Sequence, residues 1–376
     1  MISSPLIYLL ILAFIATGFS ILEKKTSFKV FKFIPAVVMI YAFSMFLASM
    51  GVFEYNEEIN NIYSLIKTNL LPAMLFLMLL QIDFSHFFKL GKSLLISYVL
   101  ALFSLTIAFI IVSIGFDFNH EMASAFGALA GSWMGGTANM IAVGSALEVS
   151  QEAFGYALIV DSVNYTLWVM LLLFLVPFAH VFNHFTGSDA NVAYLGEVGC
   201  ACTMGDKRYW LLIFLGVLVS FISQFIAEYF VILNKTTTIV LLASLFGILG
   251  SLSKLKEVNG SSEVSTTMLY IIIALIGSKA VFDSFSDVGI YVLAGFVVLL
   301  IHALIMILGA KIFRLDLFSV AVASLSNIGG VASAPILAAA YNKSLVSVGV
   351  LMAIMGYLIG TFGGLVVGNI LRGLVR

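Results

Sequence analysis

Long apolar segments, separated by short polar stretches, follow one another along the whole chain. An α-helix of about 20 apolar residues spans the roughly 30 Å hydrocarbon core of a bilayer. The pattern therefore predicts an all-α polytopic membrane protein. The candidate spans are 4–22, 33–52, 66–83, 93–115, 121–150, 152–178, 209–231, 236–255, 264–282, 288–311, 315–341 and 345–371.

Composition agrees with this pattern. The 376 residues are 62% hydrophobic and 10% charged, whereas soluble domains have about 45–50% apolar and about 25% charged residues. This composition predicts a lipid bilayer as the environment of the chain. The net charge of −1 gives no reason to expect a nucleic-acid partner. The polar stretch 179–208 predicts a linker between two transmembrane repeats, 1–178 and 209–376.

The two halves resemble each other in sequence. Residues 132–155 align without gaps on 326–349, with seven identical positions and a shared Ser-x-x-Gly-Gly-x-Ala string. Internal duplication is typical of secondary transporters. The alignment therefore predicts a duplicated membrane domain.

Loop charges predict how the repeats are oriented. Basic loops face the cytoplasm, so the basic side of this multi-pass chain is predicted to be cytoplasmic. Basic residues gather in five places: 24–32, 89–92, 254–256, 311–314 and 372–376. In the first half these basic stretches follow the odd-numbered spans 1 and 3, whereas in the second half they follow even-numbered spans. Inverted repeats require such a switch. Twelve full crossings do not allow this switch, so one element fails to cross or is hidden, and we expect 10 to 13 crossings.

Paired glycines interrupt two of the predicted spans, at Gly135-Gly136 and at Gly329-Gly330. Each glycine costs a helix about 1 kcal/mol relative to alanine, and unwound backbone at membrane depth survives only where protein or a wet cavity satisfies it. The pattern predicts two discontinuous helices at a substrate site; the alternative is close packing of small residues. The predicted substrate-binding residues are Ser132, Trp133, Gly135, Gly136, Thr137, Asn139, Ser326, Asn327, Gly329, Gly330 and Ser333.

Asp161 is an acidic residue well inside a predicted span. Intramembrane carboxylates are costly and often carry ions or protons. Asn164 lies three residues further, on the same helix face. The two residues are predicted to hold a coupling ion; the alternative is a neutral, hydrogen-bonded carboxylic acid.

No pattern in the chain indicates catalysis. The His and Cys residues lack the spacing of a metal site, and no phosphate loop or nucleophile motif is present. We therefore expect no enzyme activity, no metal centre and no cofactor other than a sodium ion.

The glycine-rich strings 131–139 and 323–335, together with the helix carrying Asp161, resemble the YjcL-like family of bacterial membrane proteins of unknown function. That family is distantly similar to sodium/bile-acid and sodium/glutamate symporters. The resemblance implies a core domain with two crossed, unwound helices beside a panel domain, in proteins that are often homodimers. It implies binding regions at 132–139 and 326–333, and a multi-pass protein of the bacterial inner (cytoplasmic) membrane.

These observations favour a cation-coupled secondary transporter that works by alternating access. Two half-helix N-termini favour a carboxylate, so the expected substrate is a small organic anion or zwitterion, such as an amino acid, short peptide or carboxylate. The alternatives are a channel and a non-transporting membrane sensor. Sodium or protons would drive transport.

Overall fold

The computed structural model describes residues 1–25, 36–80, 90–188, 208–231, 234–279, 288–342 and 345–375. In these ranges the regular structure is helical, apart from one isolated bridge between Ile2 and Phe53. The α-helices are α1 (Pro5–Lys25), α2 (Ala36–Ser49), α3 (Glu57–Leu80), α4 (Lys92–Gly115), α5 (His120–Gly135), α6 (Thr137–Ala146), α7 (Gln151–Leu175), α8 (Ala179–Thr186), α9 (Tyr209–Tyr229), α10 (Lys235–Ser251), α11 (Ser261–Lys279), α12 (Val288–Phe313), α13 (Leu317–Ile328), α14 (Gly330–Tyr341) and α15 (Val346–Leu374).

Eight of the described helical stretches are long and apolar enough to cross a membrane. The shorter helices α2 and α10 are apolar as well. These lengths confirm the prediction of an all-α, multi-pass membrane protein. The predicted linker begins with a helix, α8, and the structure describes its remainder only at Gly187, Ser188 and Arg208.

The described residues form two compact units, and each unit takes segments from both halves of the chain. The first unit comprises Met1–Gln81, Glu148–Ser162 and Gly205–Gly289, and the second comprises Ile82–Leu147, Val163–Met204 and Ile290–Arg376. The compact units are therefore not the predicted repeats 1–178 and 209–376. The duplication itself stays a prediction.

In the first unit, α3 and α11 are the central helices. Both α2 and α1 pack against α11, whereas α9 and α10 pack against α3. The Tyr8 hydroxyl lies 2.6 Å from Ser278 Oγ and joins α1 to the end of α11. Gly247 lets the backbone of α10 approach that of α3, because a methyl group there would lie 3.0 Å from the Phe76 carbonyl oxygen.

In the second unit, α15 is the central helix and contacts α4, α5, α6, α13 and α14. Its contact with α5 is made by facing glycines. An added methyl group at Gly360 would lie 2.5 Å from Gly135 Cα, and one at Gly364 would lie 2.6 Å from Gly131 Cα. Such small residues allow helix backbones to touch in a membrane protein.

The first interrupted segment folds back on itself. A methyl group added at Gly127 would lie 2.6 Å from Leu147 Cδ1, and one at Gly131 would lie 2.8 Å from Val143 Cγ2. Residues so far apart in sequence meet only if α5 and α6 run antiparallel. We name this element hairpin 1 (residues 120–146). Its arms of 16 and 10 residues are about 24 and 15 Å long.

The second interrupted segment does the same. Phe318, at the start of α13, and Tyr341, at the end of α14, have ring centroids 5.3 Å apart. We name this element hairpin 2 (residues 317–341). Its arms of 12 residues each are about 18 Å long, too short to cross the roughly 30 Å core.

Hairpins 1 and 2 correct one prediction from the sequence. Both segments are discontinuous at the predicted glycines, but neither continues in one direction after its break. Each turns back because contacts between its two arms, remote in sequence, decide the direction after the break. The inverted relation of the halves stays a prediction.

Candidate functional site

Both hairpins pack against α15, hairpin 2 at its first turn and the tip of hairpin 1 further along the helix. An added methyl group at Gly135, in the tip of hairpin 1, would lie 2.4 Å from the Gly356 carbonyl oxygen. On hairpin 2, Ala334 and Pro335 pack against Gly349, with the oxygen of Ala334 2.6 Å from a methyl group placed there. Both predicted binding regions therefore belong to the second unit and share one supporting helix.

Hydrogen bonds within the tip of hairpin 1, and one from α15, satisfy its polar groups. Gly136 adopts a positive φ of 85°, which suits glycine, and its N–H donates to the Ser132 carbonyl at 2.6 Å. Asn139 Nδ2 donates to the Gly135 carbonyl at 2.5 Å, while the Thr361 hydroxyl donates to Asn139 Oδ1 at 2.5 Å. This tip is therefore tied to α15.

Two further predicted residues lie beside this tip. The Trp133 side chain is fully buried and packs on the ring of Phe109, with centroids 5.6 Å apart. Thr137 begins α6 and is half-buried. Trp133 thus occupies the packed interior of the second unit.

The tip of hairpin 2 differs from that of hairpin 1 in the hydrogen bonding of its polar side chains. Ser326 Oγ, Asn327 Oδ1 and Ser333 Oγ are buried, and among the described residues they have no hydrogen-bond partner. Asn327 Nδ2 donates to the Ala323 carbonyl at 2.9 Å. Because only the amide nitrogen can donate to a carbonyl, this bond fixes the free Asn327 atom as an oxygen.

The backbone at this tip depends on its two glycines. Gly330 has a positive φ of 58°, with open space around it. A methyl group added at Gly329 would lie 2.0 Å from Ser333 Oγ and 2.6 Å from Tyr165 Cε2. The Tyr165 ring of α7 therefore packs directly on the tip of hairpin 2.

Asn164 carries another such buried oxygen in the same unit. Its Nδ2 donates to the Val292 carbonyl at 3.2 Å, and its Oδ1 has no partner in the described part of the chain. Each buried polar group left unsatisfied costs about 1–3 kcal/mol. The described part of the second unit has seven such oxygens, and three of them, on Ser326, Asn327 and Ser333, lie around one helix break. Bound ions, a ligand or water would satisfy them there.

The helix ends at this break carry opposite partial charges. The C-terminus of α13, which carries Ser326 and Asn327, presents partial negative charge, and the N-terminus of α14 presents partial positive charge toward Ser333. The tip can therefore favour a cation on one side and an anionic group on the other.

Asp161 is half-buried in α7 and belongs to the first unit, whereas Asn164 belongs to the second unit. The predicted coupling pair is thus divided between the units. The role of Asp161 in coupling stays a prediction.

A buried polar chain also runs through the second unit. Trp168 Nε1 donates to Ser324 Oγ at 3.0 Å, Ser324 Oγ lies 2.8 Å from His302 Nε2, and Ser104 Oγ lies 2.7 Å from His302 Nδ1. Because the Ser104 hydroxyl donates to the Ala101 carbonyl at 2.8 Å, it must accept from His302. Neutral His302 with its proton on Nδ1 satisfies the whole chain.

Sequence reasoning did not select Thr361 or the α15 glycines. The glycines recur every four residues at 356, 360, 364 and 368, which is a readable small-xxx-small signal. Tyr165 lacked such a signal, because its contact with Gly329 depends on the folding back of hairpin 2.

Comparison with known proteins agrees with the resemblance in the sequence. The chain is 23% identical over 376 aligned positions to the uncharacterized membrane protein YjcL of Bacillus subtilis (strain 168), covering 90% of this chain and 91% of that protein. A family described as "Protein of unknown function (DUF819)" matches residues 9–374. With nearly its whole length matched, this chain belongs to the DUF819 family.

Proposed function

We propose that the protein is a secondary active transporter of a small organic anion or zwitterion, with its binding site at the tip of hairpin 2. The observation that carries the proposal is the contrast between the tips. Asn139 and Thr361 close the first tip, whereas Ser326, Asn327 and Ser333 leave buried oxygens unused at the second.

The chemistry of the second tip supports a charged ligand. Oxygen-only ligands suit hard cations, and Ser326 and Asn327 lie at the negative end of α13. Ser333 lies in the first turn of α14, where N–H groups favour a carboxylate. A zwitterion, or an organic anion bound with a sodium ion, would meet both charges. Amino acids, short peptides and carboxylates fit this description.

The helical hairpins also support inverted repeats. If neither hairpin crosses, ten crossings remain: α1, α2, α3, α4, α7, α9, α10, α11, α12 and α15. An even number of crossings then separates the basic loops at 24–32, 89–92, 254–256 and 311–314, so these loops face one side. Each half contributes five crossings, an odd number, as inversion requires.

The ten-crossing arrangement places the C-terminus on the opposite side from the basic loops, contrary to the sequence expectation. Arg372 has local partners there. Its Nε donates to His120 Nε2 at 3.1 Å, and its Nη1 donates to the Leu147 carbonyl at 3.4 Å. These contacts give the arginine a structural role in the second unit.

Uptake into proteoliposomes tests the proposal. The purified full chain is supplied with radiolabelled amino acids, dipeptides and carboxylates under an inward sodium gradient, an inward proton gradient, or neither. We expect at least one compound to accumulate above its external concentration, and the accumulation to collapse with the matching ionophore.

A pair of asparagine variants ties the activity to hairpin 2. Asn327→Ala should abolish accumulation, because it removes the free Oδ1. The control is Asn369→Ala on α15, since Asn369 Nδ2 donates to the Leu365 carbonyl at 2.7 Å in the same i to i−4 manner but lies outside the tips. Equal loss in both variants, or no accumulation of any compound, would contradict the proposal.

The channel hypothesis makes a different prediction in the same membranes. A channel would give a steady current in planar bilayers and only equilibration of the labelled compound. A steady current without accumulation would replace the transporter proposal with the channel alternative.

A further inference from the structure

A cavity of about 580 Å³ lies in the second unit, apart from the hairpin tips. Cavities of about 300–1,000 Å³ are typical of small-molecule sites. Its walls come from α7, the short turn at Phe178, and α8, α12 and α13. The lining residues are Trp168, Leu171, Leu172, Leu175, Phe178, Val181, Phe182, Phe185, Ala303, Met306, Ile307, Leu317, Val320, Ala321 and Ser324.

Among the described side chains that line this cavity, none offers an unused hydrogen-bonding group. Its polar atoms are Trp168 Nε1 and Ser324 Oγ, which bond to each other, and Ser324 Oγ bonds also to His302. An occupant therefore needs no polar group inside. Leu171, Phe178, Val181 and Phe185 line the cavity and are 42–66% exposed, so the occupant can enter from the surrounding lipid.

The rim of the cavity is cationic. Lys311, on α12, donates from Nζ to the Phe185 carbonyl, and this nitrogen lies 4.8 Å from the Phe185 ring centroid. Arg314 is exposed three residues further. The nearby Asp316 is buried and caps α13, accepting hydrogen bonds from Ser319 N and Ser319 Oγ. With Lys311 and Arg314 against the single carboxylate of Asp316, the described rim keeps a net positive charge.

We propose that this cavity binds one acyl chain of an anionic phospholipid, whose phosphate lies against Lys311 and Arg314. An apolar interior with a cationic rim fits an amphipathic anion. Basic loops near the membrane surface attract anionic headgroups, and residues 311–314 form one of the basic loops of the sequence. The acyl chain would contact α13 and so stabilise that arm of hairpin 2.

Thermal denaturation of the purified full chain in detergent tests this site. Phosphatidylglycerol, phosphatidylcholine and oleate are added in separate samples. Since a ligand that binds only the folded state raises its stability, we expect phosphatidylglycerol to raise the melting temperature by several degrees. Phosphatidylcholine and oleate should produce smaller shifts. An equal shift with oleate would overturn the assignment to a phospholipid.

Different variants test the cavity and its rim separately. Ala303→Phe, on α12, fills the cavity and should abolish the shift. If this variant does not fold, Ala321→Leu fills the cavity from α13. The double variant Lys311→Gln/Arg314→Gln should reduce the phosphatidylglycerol shift to the phosphatidylcholine value. Lys254→Gln, at an exposed lysine of the first unit, is the control and should retain the full shift. Unchanged shifts in the cavity and rim variants would refute the proposal.

Discussion

Replacing Gly364 by alanine places one methyl group into the contact between α15 and α5. The new Cβ would lie 2.6 Å from Gly131 Cα and 2.8 Å from Gly131 N. Carbon atoms in contact prefer a separation of about 3.5–4.0 Å. The two helix backbones must therefore move apart by about 1 Å, because no flexible side chain on α5 can yield at Gly131.

That movement affects the whole contact between the two helices. Gly127 and Gly368 meet at one level, and Gly135 and Gly360 meet at another. A gap of 0.5–1 Å removes about a quarter to a half of the dispersion energy of each atom pair. Overpacking of a tight core typically costs about 1–3 kcal/mol. We expect Gly364→Ala to lose about 2–3 kcal/mol of stability, at the upper end of that range.

Gly373 provides the matched control on the same helix. A methyl group at Gly373 meets no atom within 4 Å, and alanine is favoured over glycine in a helix by up to about 1 kcal/mol. Thermal denaturation in one detergent should give a melting temperature for Gly373→Ala at or above that of the wild type. Gly364→Ala should melt several degrees lower. Equal melting temperatures for the two variants would refute the backbone contact.

Three other predictions concern the hairpin tips and coupling. Asn139→Leu should destabilise the protein by about 1–3 kcal/mol in thermal denaturation, because it leaves the Gly135 carbonyl and the Thr361 hydroxyl unsatisfied; unchanged stability would contradict the closed first tip. Gly330→Ala should cost about 1–2 kcal/mol through its positive φ alone, with Gly330→Asn costing less, and equal stabilities would contradict that backbone conformation. Asp161→Asn should fold normally but lose gradient-driven accumulation of the transported compound, and wild-type accumulation would show that the carboxylate has no part in coupling.

The helices were predictable because membrane insertion demands long apolar segments. The breaks were predictable too, because Gly135-Gly136 and Gly329-Gly330 weaken a helix wherever they occur. The direction of the chain after each break was not. It depends on contacts between residues far apart in sequence, such as Phe318 with Tyr341.

The candidate site was predictable only in part. Polar residue types near the breaks identified both tips, but their environments differ for reasons the alignment of the halves does not contain. Asn139 finds Thr361 on α15, whereas Asn327 Oδ1 finds no partner among the described residues. Trp133 packs on Phe109 in the interior, and its place at a substrate site stays a prediction.

Accessibility of residue 333 from the two sides of the membrane tests the central claim most directly. Ser333→Cys is made in a chain whose Cys200 and Cys202 are replaced by serine, and a membrane-impermeant thiol reagent is applied to right-side-out and to inverted vesicles. Alternating access at the tip of hairpin 2 predicts reaction from both sides, slowed by the compound that accumulates in proteoliposomes. Reaction from one side only, or from neither, would contradict a transport site at this tip.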